Sequence, residues 1–330
     1  MNQTFNALWV TEVSPEQFDR EIVKRSLADL NEGEVLISVK YSSLNYKDAL
    51  SAYGNRGVTR KYPHTPGIDA AGVVEVSQNS AFKAGDEVIV TGYDLGMNTP
   101  GGLSEYIRVP ANWIIPKPQG LTLRQCMIIG TAGLTAAISL GKLQKMDAKP
   151  EDGPVLVTGA TGGVGTFSIA LLKHLGFEVV ASTGKLESVD LLTKLGAHQI
   201  IDRAMLEDVS KKPLLPPQWA HAIDTVGGDI LFNVIKSIQN GGSVACCGMV
   251  ASANFAANVF PFILRGVNLL GVDSVQLSLE NKIALWLRLS TEWKLPNLDE
   301  MAQEIGLAQV PALLDRIYRG KAVGRYLVSI

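Results

Sequence analysis

The sequence predicts an α/β protein in which a doubly wound, six-stranded parallel sheet is combined with a β-rich domain. Val155–Lys173 has the pattern of a buried strand, a glycine-rich turn and an amphipathic helix. From this stretch to about residue 273, strand and helix patterns alternate and give six strands, as a complete Rossmann dinucleotide fold requires. The first 124 residues instead hold short strands with turns between them, which is typical of a partly open barrel.

The composition is that of an ordinary globular protein with room for two domains. The chain has 330 residues, of which 46% are hydrophobic and 19% charged, and its net charge is −2. We expect no nucleic-acid partner, because no long basic run is present. The N-terminal residues lack the apolar region of a secretory signal, and we expect no apolar run of membrane-spanning length. Three cysteines without a disulfide pattern favour free thiols and a cytoplasmic protein.

The elements follow in order along the chain. Gln125–Leu140 predicts an apolar helix interrupted by Gly130 and Gly133. We therefore predict a first domain over 1–124, a nucleotide-binding domain over 125–273, and a return to the first domain over 274–330. The predicted strands are Val35–Tyr41, Gly72–Val76, Asp86–Val90 and Ser104–Val109, then Val155–Thr158, Glu178–Ser182, His198–Ile201, Ala220–Asp224, Ser243–Cys247 and Asn268–Val272, and finally Arg325–Ile330. Further helices are predicted near 187–195, 228–238, 258–265, 279–289 and 311–318.

The glycine-rich turn, Gly159–Gly165, has the composition of a phosphate-binding loop. Glycine lets the backbone approach a pyrophosphate closely, and the following helix offers unpaired N–H groups and the positive end of its dipole. The six-residue window that ends at Gly165 starts with Ala160, so it departs from the G-x-G-x-x-G pattern. A purely structural turn in an α/β domain is the alternative.

The end of the second strand of this fold indicates NADPH rather than NADH. NAD enzymes usually place a carboxylate there, about 20 residues past the glycines. Here the strand ends in Ser182 and Thr183, and the first carboxylate, Glu187, lies past the turn. Hydroxyl groups with Lys185 suit a 2′-phosphate, and Arg203 after the third strand can add a planar guanidinium. A solvated loop with ordinary surface charges is the alternative.

Metal ligands with a recognisable spacing are absent from the sequence, so we expect no metal. A catalytic zinc site usually needs three protein ligands and a structural one needs four. Cys246 and Cys247 are adjacent and point to opposite faces of a strand, while Cys126 stands alone. The four histidines, His64, His174, His198 and His221, are scattered.

The order of these parts resembles the medium-chain dehydrogenase/reductase superfamily over essentially the whole chain. Where its zinc alcohol dehydrogenases carry a G-H-E motif, this chain has Gly67-Ile68-Asp69, with Ile in place of the ligand His. Several segments are more similar to one branch, the acrylyl-CoA reductases, which are often labelled quinone oxidoreductases. These segments are Ser42–Ala49, Pro66–Asp69, Ile128–Gly133, Ala222–Gly227, Pro261–Arg265 and Gly271–Val275.

This resemblance implies a GroES-like first domain and NADPH-dependent reduction of the C=C bond of a short 2-enoyl-CoA by a cytosolic homodimer. A quinone or enone reductase is the alternative within enzymes, and a non-enzymatic NADPH-binding protein is the alternative outside them. The cofactor contacts implied by the resemblance are Tyr46, Thr161, Gly162, Gly163, Val164, Thr183, Gly184, Lys185, Arg203, Met249, Ile263 and Ser274.

Reduction of a conjugated C=C bond also needs stabilisation of a thioester oxygen and a proton for the α-carbon. The polar run after the first long strand offers groups for both. Tyr46 is the candidate proton donor or cofactor-side donor, and Asn45 can donate to the substrate carbonyl. Asp48 can orient Arg325, which lies in the closing strand. Alternatively, Asn45 and Asp48 cap the helix that begins there, and Tyr46 is a half-buried core residue.

Two further hypotheses concern partners. Arg56, Arg60 and Lys61 lie in one loop and can meet the phosphates of coenzyme A, although a solvated loop explains them equally well. The sixth strand, Asn268–Val272, can pair with its copy in a second subunit, which would cover an exposed sheet edge.

Overall fold

A computed structural model describes residues 3–210 and 212–330, so that Met1, Asn2 and Lys211 lie outside the described residues. The chain forms two compact units. The first unit contains the residues up to Thr131 together with Ser274–Ile330, and the second contains Ala132–Asp273. The division after Thr131 falls inside a long helix, whereas the sequence-based division at 124/125 falls near the start of that helix.

The regular elements are numbered in chain order. The strands are β1 Thr4–Ser14, β2 Gln17–Ser26, β3 Val35–Ser43, β4 Asp69–Ser77, β5 Glu87–Thr91, β6 Tyr106–Val109, β7 Ile114–Pro116, β8 Val155–Val157, β9 Val179–Thr183, β10 Gln199–Asp202, β11 Trp219–Asp224, β12 Ile238–Cys246, β13 Asn268–Gly271, β14 Ala302–Gly306 and β15 Arg325–Ser329. The helices are α1 Tyr46–Ala52, α2 Leu123–Lys145, α3 Gly163–His174, α4 Val189–Leu195, α5 Gly228–Lys236, α6 Phe260–Arg265, α7 Leu279–Ser290 and α8 Val310–Tyr318.

The second unit is built on a six-stranded sheet with the order β10-β9-β8-β11-β12-β13, in which every pair is parallel. This is the doubly wound order, with β8 as the first strand, and it confirms the predicted fold class. Strand β8 is buried along its whole length, as its unbroken apolar run predicts. The carboxyl ends of these strands meet at one edge of the sheet, where a dinucleotide fold binds its ligand.

The first unit holds the β-rich part. Its main sheet has the order β14-β15-β3-β4-β5-β7, and β6 also pairs with β3. Strand β3 is therefore the centre of the unit, and its inward side chains Val35, Ile37 and Val39 are almost fully buried. A separate antiparallel hairpin is formed by β1 and β2.

Four of the described strands, β1, β2, β7 and β14, have no counterpart in the sequence-based predictions. Strand β7 buries Ile114 and Ile115 but is three residues long, too short for an alternating pattern. None of the residues of β2 is buried, and β14 buries only Ile305. Both strands therefore lack the apolar alternation from which strands are predicted. Strand β1 does bury Phe5, Ala7, Leu8 and Val10, so its omission reflects a missed alternating pattern rather than an absent one.

Helix α2 corrects one expectation. By length and composition alone it is long and apolar enough to cross a membrane, with a mean hydropathy of 1.5, so the expectation that no run reaches that length was wrong. Of its most apolar window, 83% is buried inside the protein. A buried core helix of a globular protein meets the same criteria of length and composition. Helix α2 is therefore weak evidence that the protein crosses a membrane.

Candidate active site

The glycine-rich turn joins β8 to α3 in the second unit. Gly159 has φ +59°, which favours glycine, and its backbone carbonyl lies close under the helix. A Cβ atom on Gly165 would lie 2.5 Å from the Gly159 oxygen, so only glycine lets the helix start so near the strand end. Gly162 is exposed and precedes the first helical residue, Gly163. The N–H groups of the first helical turn have no acceptor within the helix and can bind a pyrophosphate.

Asp224 fixes the neighbouring strand end. Its buried carboxylate accepts hydrogen bonds from Thr158 Oγ1 at 2.7 Å and from the Gly227 N–H at 2.8 Å. Burial raises the pKa of Asp224, and these hydrogen bonds oppose the rise. The side chain therefore ties the end of β8 to the turn after β11, and holds the carboxyl edge of the sheet in shape.

The candidate 2′-phosphate site lies at the carboxyl ends of β9 and β10. Asp202 at the end of β10 pairs with Thr183 at the end of β9, so Arg203 comes next to the Thr183–Lys185 turn. The Arg203 guanidinium carbon would lie 3.3 Å from a Cβ on Gly184. Thr183 Oγ1 accepts the Lys185 N–H at 3.0 Å and lies 3.4 Å from Thr161 Oγ1 of the glycine-rich turn.

Ser182 does not join this set by its side chain. Successive residues of a strand point to opposite faces, so its buried hydroxyl points away from the face of Thr183. Instead, the Ser182 carbonyl accepts the Ala160 N–H at 3.1 Å and holds the glycine-rich turn. The structure thus gives Ser182 a main-chain contact with the turn, and a contact of its hydroxyl with the cofactor stays a prediction. The other groups, a glycine-lined helix start with a lysine and an arginine beside it, fit a dinucleotide that carries a 2′-phosphate.

The remaining predicted cofactor contacts are placed as follows. Met249 lies past the carboxyl end of β12 and is 54% exposed, and a Cβ on Gly227 would lie 3.1 Å from its Cα. Ile263 is an exposed residue of α6. Ser274 opens the part of the first unit that follows the second unit in the chain, and its carbonyl would lie 3.2 Å from a Cβ on Gly92.

The first unit contains a break in α2 that organises its buried polar groups. Gly130 has φ +49° and ψ −158°, a conformation that only glycine adopts readily. The helix is interrupted there, which leaves carbonyl groups on one side and an N–H group on the other without helical partners. A guanidinium suits the first end and a carboxylate the second, because of the helix dipole.

Arg325 supplies the guanidinium. It is 3% exposed, and its five hydrogen bonds all go to acceptors within the protein. They run to the carbonyls of Met127, Ile128, Ile129 and Leu44 and to Oδ1 of Asn45, at distances from 2.9 to 3.5 Å. Burial lowers the pKa of Arg325, against the charges of Asp69 and Asp48. The predicted catalytic role of Arg325 is corrected to a structural one, because no N–H remains for a substrate.

Asp69 supplies the carboxylate. It is fully buried, and its Oδ2 accepts from Thr131 N at 2.8 Å, Ser43 Oγ at 2.6 Å and Asn45 Nδ2 at 2.8 Å. Its Oδ1 accepts from Thr131 Oγ1 at 2.6 Å. Four donors from three segments of the first unit therefore converge on one carboxylate.

Asn45 and Asp48 flank the start of α1. The Asn45 amide donates to Asp69 and, at 3.3 Å, to the Ser43 carbonyl, so both of its N–H groups are used and the predicted donation to a substrate carbonyl is wrong. Asp48 accepts from the Asn45 N–H at 2.8 Å and from the Ile68 N–H at 2.9 Å. It caps the helix, as the alternative interpretation held, and Arg325 bonds to Asn45 instead of to Asp48. The pKa of Asp48 is raised to about 7, mainly by burial and to a smaller extent by the negative charge of Asp69.

Tyr46 is the first residue of α1 and is half-buried. Within the part of the chain that the structure describes, its hydroxyl has no hydrogen-bond partner. Among the predicted catalytic residues, Tyr46 is therefore the one whose side-chain donor, the phenol O–H, does not bond to another described residue.

Sequence reasoning missed the role of Asp69 and the reason for Gly130. Asp69 stands in a segment that carried the family resemblance, and Gly130 was noted only as an interruption of an apolar helix. The available signal was Gly130 itself, a glycine inside an otherwise apolar helical pattern.

The cysteines agree with the prediction of free thiols. Burial raises the pKa of both Cys126 and Cys247 to about 12, so these thiols are not reactive at neutral pH. Among residues 3–210 and 212–330, no group of three or more His, Cys, Asp or Glu side chains is placed to hold a metal ion.

A six-stranded dinucleotide-type sheet joined to a GroES-like β unit defines an oxidoreductase of the medium-chain dehydrogenase/reductase superfamily. Residues 31–119 match the alcohol dehydrogenase GroES-like domain family, and residues 163–289 match the zinc-binding dehydrogenase family. The chain belongs to this superfamily.

Its full-length relatives place it in one branch. Acrylyl-CoA reductase AcuI of Ruegeria pomeroyi is 43% identical over 99% of both chains. YhfP of Bacillus subtilis, whose name describes it as a quinone oxidoreductase, is 45% identical over 92% of this chain and 93% of its own. The crystal structure of the Salmonella enterica yhdH oxidoreductase with NADP is 40% identical and covers 98% of this chain and 99% of its own, with a TM-score of 0.94. The B. subtilis yhfP structure with NAD bound, 42% identical, gives 0.95 over 99% of this chain and 100% of its own.

Proposed function

We propose that this protein reduces the C=C bond of a short 2-enoyl-CoA, acrylyl-CoA to propionyl-CoA, with NADPH and without a metal. The observation that carries the proposal is the full-length similarity to AcuI together with an uncommitted phenol at the start of α1. The quinone-reductase name of YhfP supports the alternative, a quinone or enone reductase.

We assign NADPH as the cofactor from the groups at the carboxyl edge of the sheet. The N–H groups at Gly162–Val164 bind the pyrophosphate, and Thr183, Lys185 and Arg203 hold the 2′-phosphate through hydrogen bonds and charge. When bound, NADPH supplies a hydride from its nicotinamide ring to the β-carbon of the substrate. The B. subtilis yhfP structure holds NAD. The charges at Lys185 and Arg203 are the features from which we infer a preference for NADPH in this chain.

Tyr46 delivers the proton to the α-carbon in this proposal. Its hydroxyl is carried by the first residue of a helix whose start is capped by Asp48. The buried carboxylate and guanidinium beneath it do not exchange protons with a substrate, because their donors and acceptors are occupied within the protein. They set the position of the helix start.

The loop at Arg60 and Lys61 is the candidate contact for coenzyme A phosphates. Arg56, which the sequence grouped with them, pairs with Glu12 at 2.5 Å and lies over the Tyr62 ring. All three cations are exposed, but the charge of Arg56 is partly used within the protein, so Arg60 and Lys61 are the preferred candidates.

We further propose a cytoplasmic homodimer. Strand β13 ends the sheet order, so one of its edges has no partner strand within residues 3–210 and 212–330. Leu269 of β13 is exposed, and so are Phe260 and Leu264 of the preceding helix α6. Pairing with a second copy would satisfy the edge and cover these side chains. A monomeric mass by light scattering at micromolar concentration would rule this out.

The test of the proposed function is NADPH oxidation by the purified protein with acrylyl-CoA and, separately, with a simple benzoquinone. The proposal predicts a much higher kcat/KM for the thioester than for the quinone, and a fall of about 10²- to 10⁴-fold, to a small but measurable value, in Tyr46→Phe. Turnover with quinone alone would establish the alternative.

A further inference from the structure

We infer that Asp69 is a positioning residue for the start of α1 and acts through the Asn45 side chain on Tyr46. The inference rests on the proposed function, since it concerns the residue to which we assign the proton. It goes further by naming the buried group that sets where that residue stands.

The Asp69 carboxylate joins three segments of the first unit. Ser43 ends β3, Asn45 precedes α1, and Thr131 follows the break in α2, and each donates to Asp69 at 2.6 to 2.8 Å. Because Asp69 is fully buried, bulk water does not compete for the hydrogen bonds of its carboxylate. Hydrogen bonds to a buried charge are stronger than those between neutral groups. A shift of the carboxylate therefore moves all three segments together.

The Asn45 amide transmits this position to Tyr46. Its Nδ2 donates to Asp69 at 2.8 Å, and its Oδ1 accepts from Arg325 Nη1 at 3.1 Å. Because one neighbour is an anion and the other a cation, only one orientation of the amide satisfies both. The backbone of Asn45 is held from its other side by Asp48. Tyr46 follows directly in sequence, so its starting point is fixed by these contacts.

A merely structural role for Asp69, capping of the broken helix, is the competing explanation. Two adjacent serines of β3 distinguish the two roles. Ser43 Oγ donates to the Asp69 carboxylate at 2.6 Å, whereas Ser42 Oγ donates to the Asp69 main-chain carbonyl at 2.7 Å. Both serines are completely buried. Ser42→Ala is therefore a matched control that loses a buried hydrogen bond to the same residue without touching its carboxylate.

The experiment measures kcat and KM for acrylyl-CoA, together with Tm, for Ser43→Ala and Ser42→Ala. Each is made in the native sequence and in Tyr46→Phe. We expect Ser43→Ala to lower kcat about tenfold, because a small displacement of the Tyr46 hydroxyl from the substrate slows proton transfer by about that factor. The change in Tm should be similar to that of Ser42→Ala. Ser42→Ala should keep its kcat. In the Tyr46→Phe background, Ser43→Ala should have no further effect, because the positioned group is gone.

Three outcomes overturn the inference. Equal kcat losses in the two serine variants would show a general effect of buried-bond loss. A full additional loss from Ser43→Ala in the Tyr46→Phe background would show that Asp69 does not act through Tyr46. An unaltered kcat in Ser43→Ala, with Tyr46→Phe strongly impaired, would refute the inference while the proposed function stands. Full activity of Tyr46→Phe refutes the proton assignment itself, and the positioning inference with it.

Discussion

Replacement of Gly130 by alanine tests the idea that the break in α2 is built around Asp69 and Arg325. The new Cβ would lie 2.6 Å from Arg325 Nη2, from Asp69 Oδ2 and from Ser43 Oγ. All three atoms belong to groups in the buried hydrogen-bonded cluster, so none can move aside without loss of a bond. Non-glycine residues in such a backbone conformation cost about 1–3 kcal/mol. Loss of a single hydrogen bond to a charged group adds about 1.5–3 kcal/mol, for a total of about 2.5–6 kcal/mol.

The assay is urea unfolding of Gly130→Ala beside Gly320→Ala. Gly320 also has a positive φ, of +67°, but no atom lies within 4 Å of its Cβ position. This control therefore measures backbone strain alone, and we expect a loss of about 1–2 kcal/mol. A Gly130→Ala variant that is no less stable than Gly320→Ala would refute the packing argument.

Three other changes have definite expected results. Lys185→Glu should weaken NADPH binding far more than NADH binding, measured by fluorescence titration, because it places a negative charge beside the candidate 2′-phosphate site; equal losses would contradict that site. Asp48 keeps its proton in the folded protein up to about pH 7, whereas the unfolded chain releases it near pH 4, so folding stability should fall across that window by up to about 4 kcal/mol. Asp48→Asn should remove that part of the slope in urea unfolding at pH 4.5, 6 and 7.5, and identical slopes would count against the raised pKa. Arg60→Ala should raise the KM for acrylyl-CoA severalfold and leave the KM for a quinone unchanged; an unchanged KM for the thioester would exclude a phosphate contact.

The nucleotide-binding part of the fold was predictable because its strands are buried on both faces. Strand β8 is an uninterrupted apolar run next to a glycine-rich turn, and such a run has few other interpretations. Strand β2 was not predictable in this way, since no residue in it is buried and its charges alternate with partly covered side chains.

The candidate site was only partly predictable, for a different reason. Asn45, Tyr46 and Asp48 are neighbours in sequence, so their helix start could be found from local pattern. Asp69 is 24 residues from Asn45, and Arg325 is 197 residues from Ile128, whose carbonyl it binds. These contacts form because β15 and β4 both pair with β3 in the sheet, and they leave no local pattern in the sequence. The predicted substrate-directed roles of Asn45 and Arg325 failed because these partners were not visible.

The most direct test of the proposed reaction follows one hydride. Acrylyl-CoA is reduced by the purified protein with NADPH deuterated at the transferring position of nicotinamide C4, and the product is examined by NMR. The proposal predicts propionyl-CoA with one deuterium on the β-carbon and a solvent-derived proton on the α-carbon. Deuterium on the α-carbon, or no labelled propionyl-CoA at all, would contradict it.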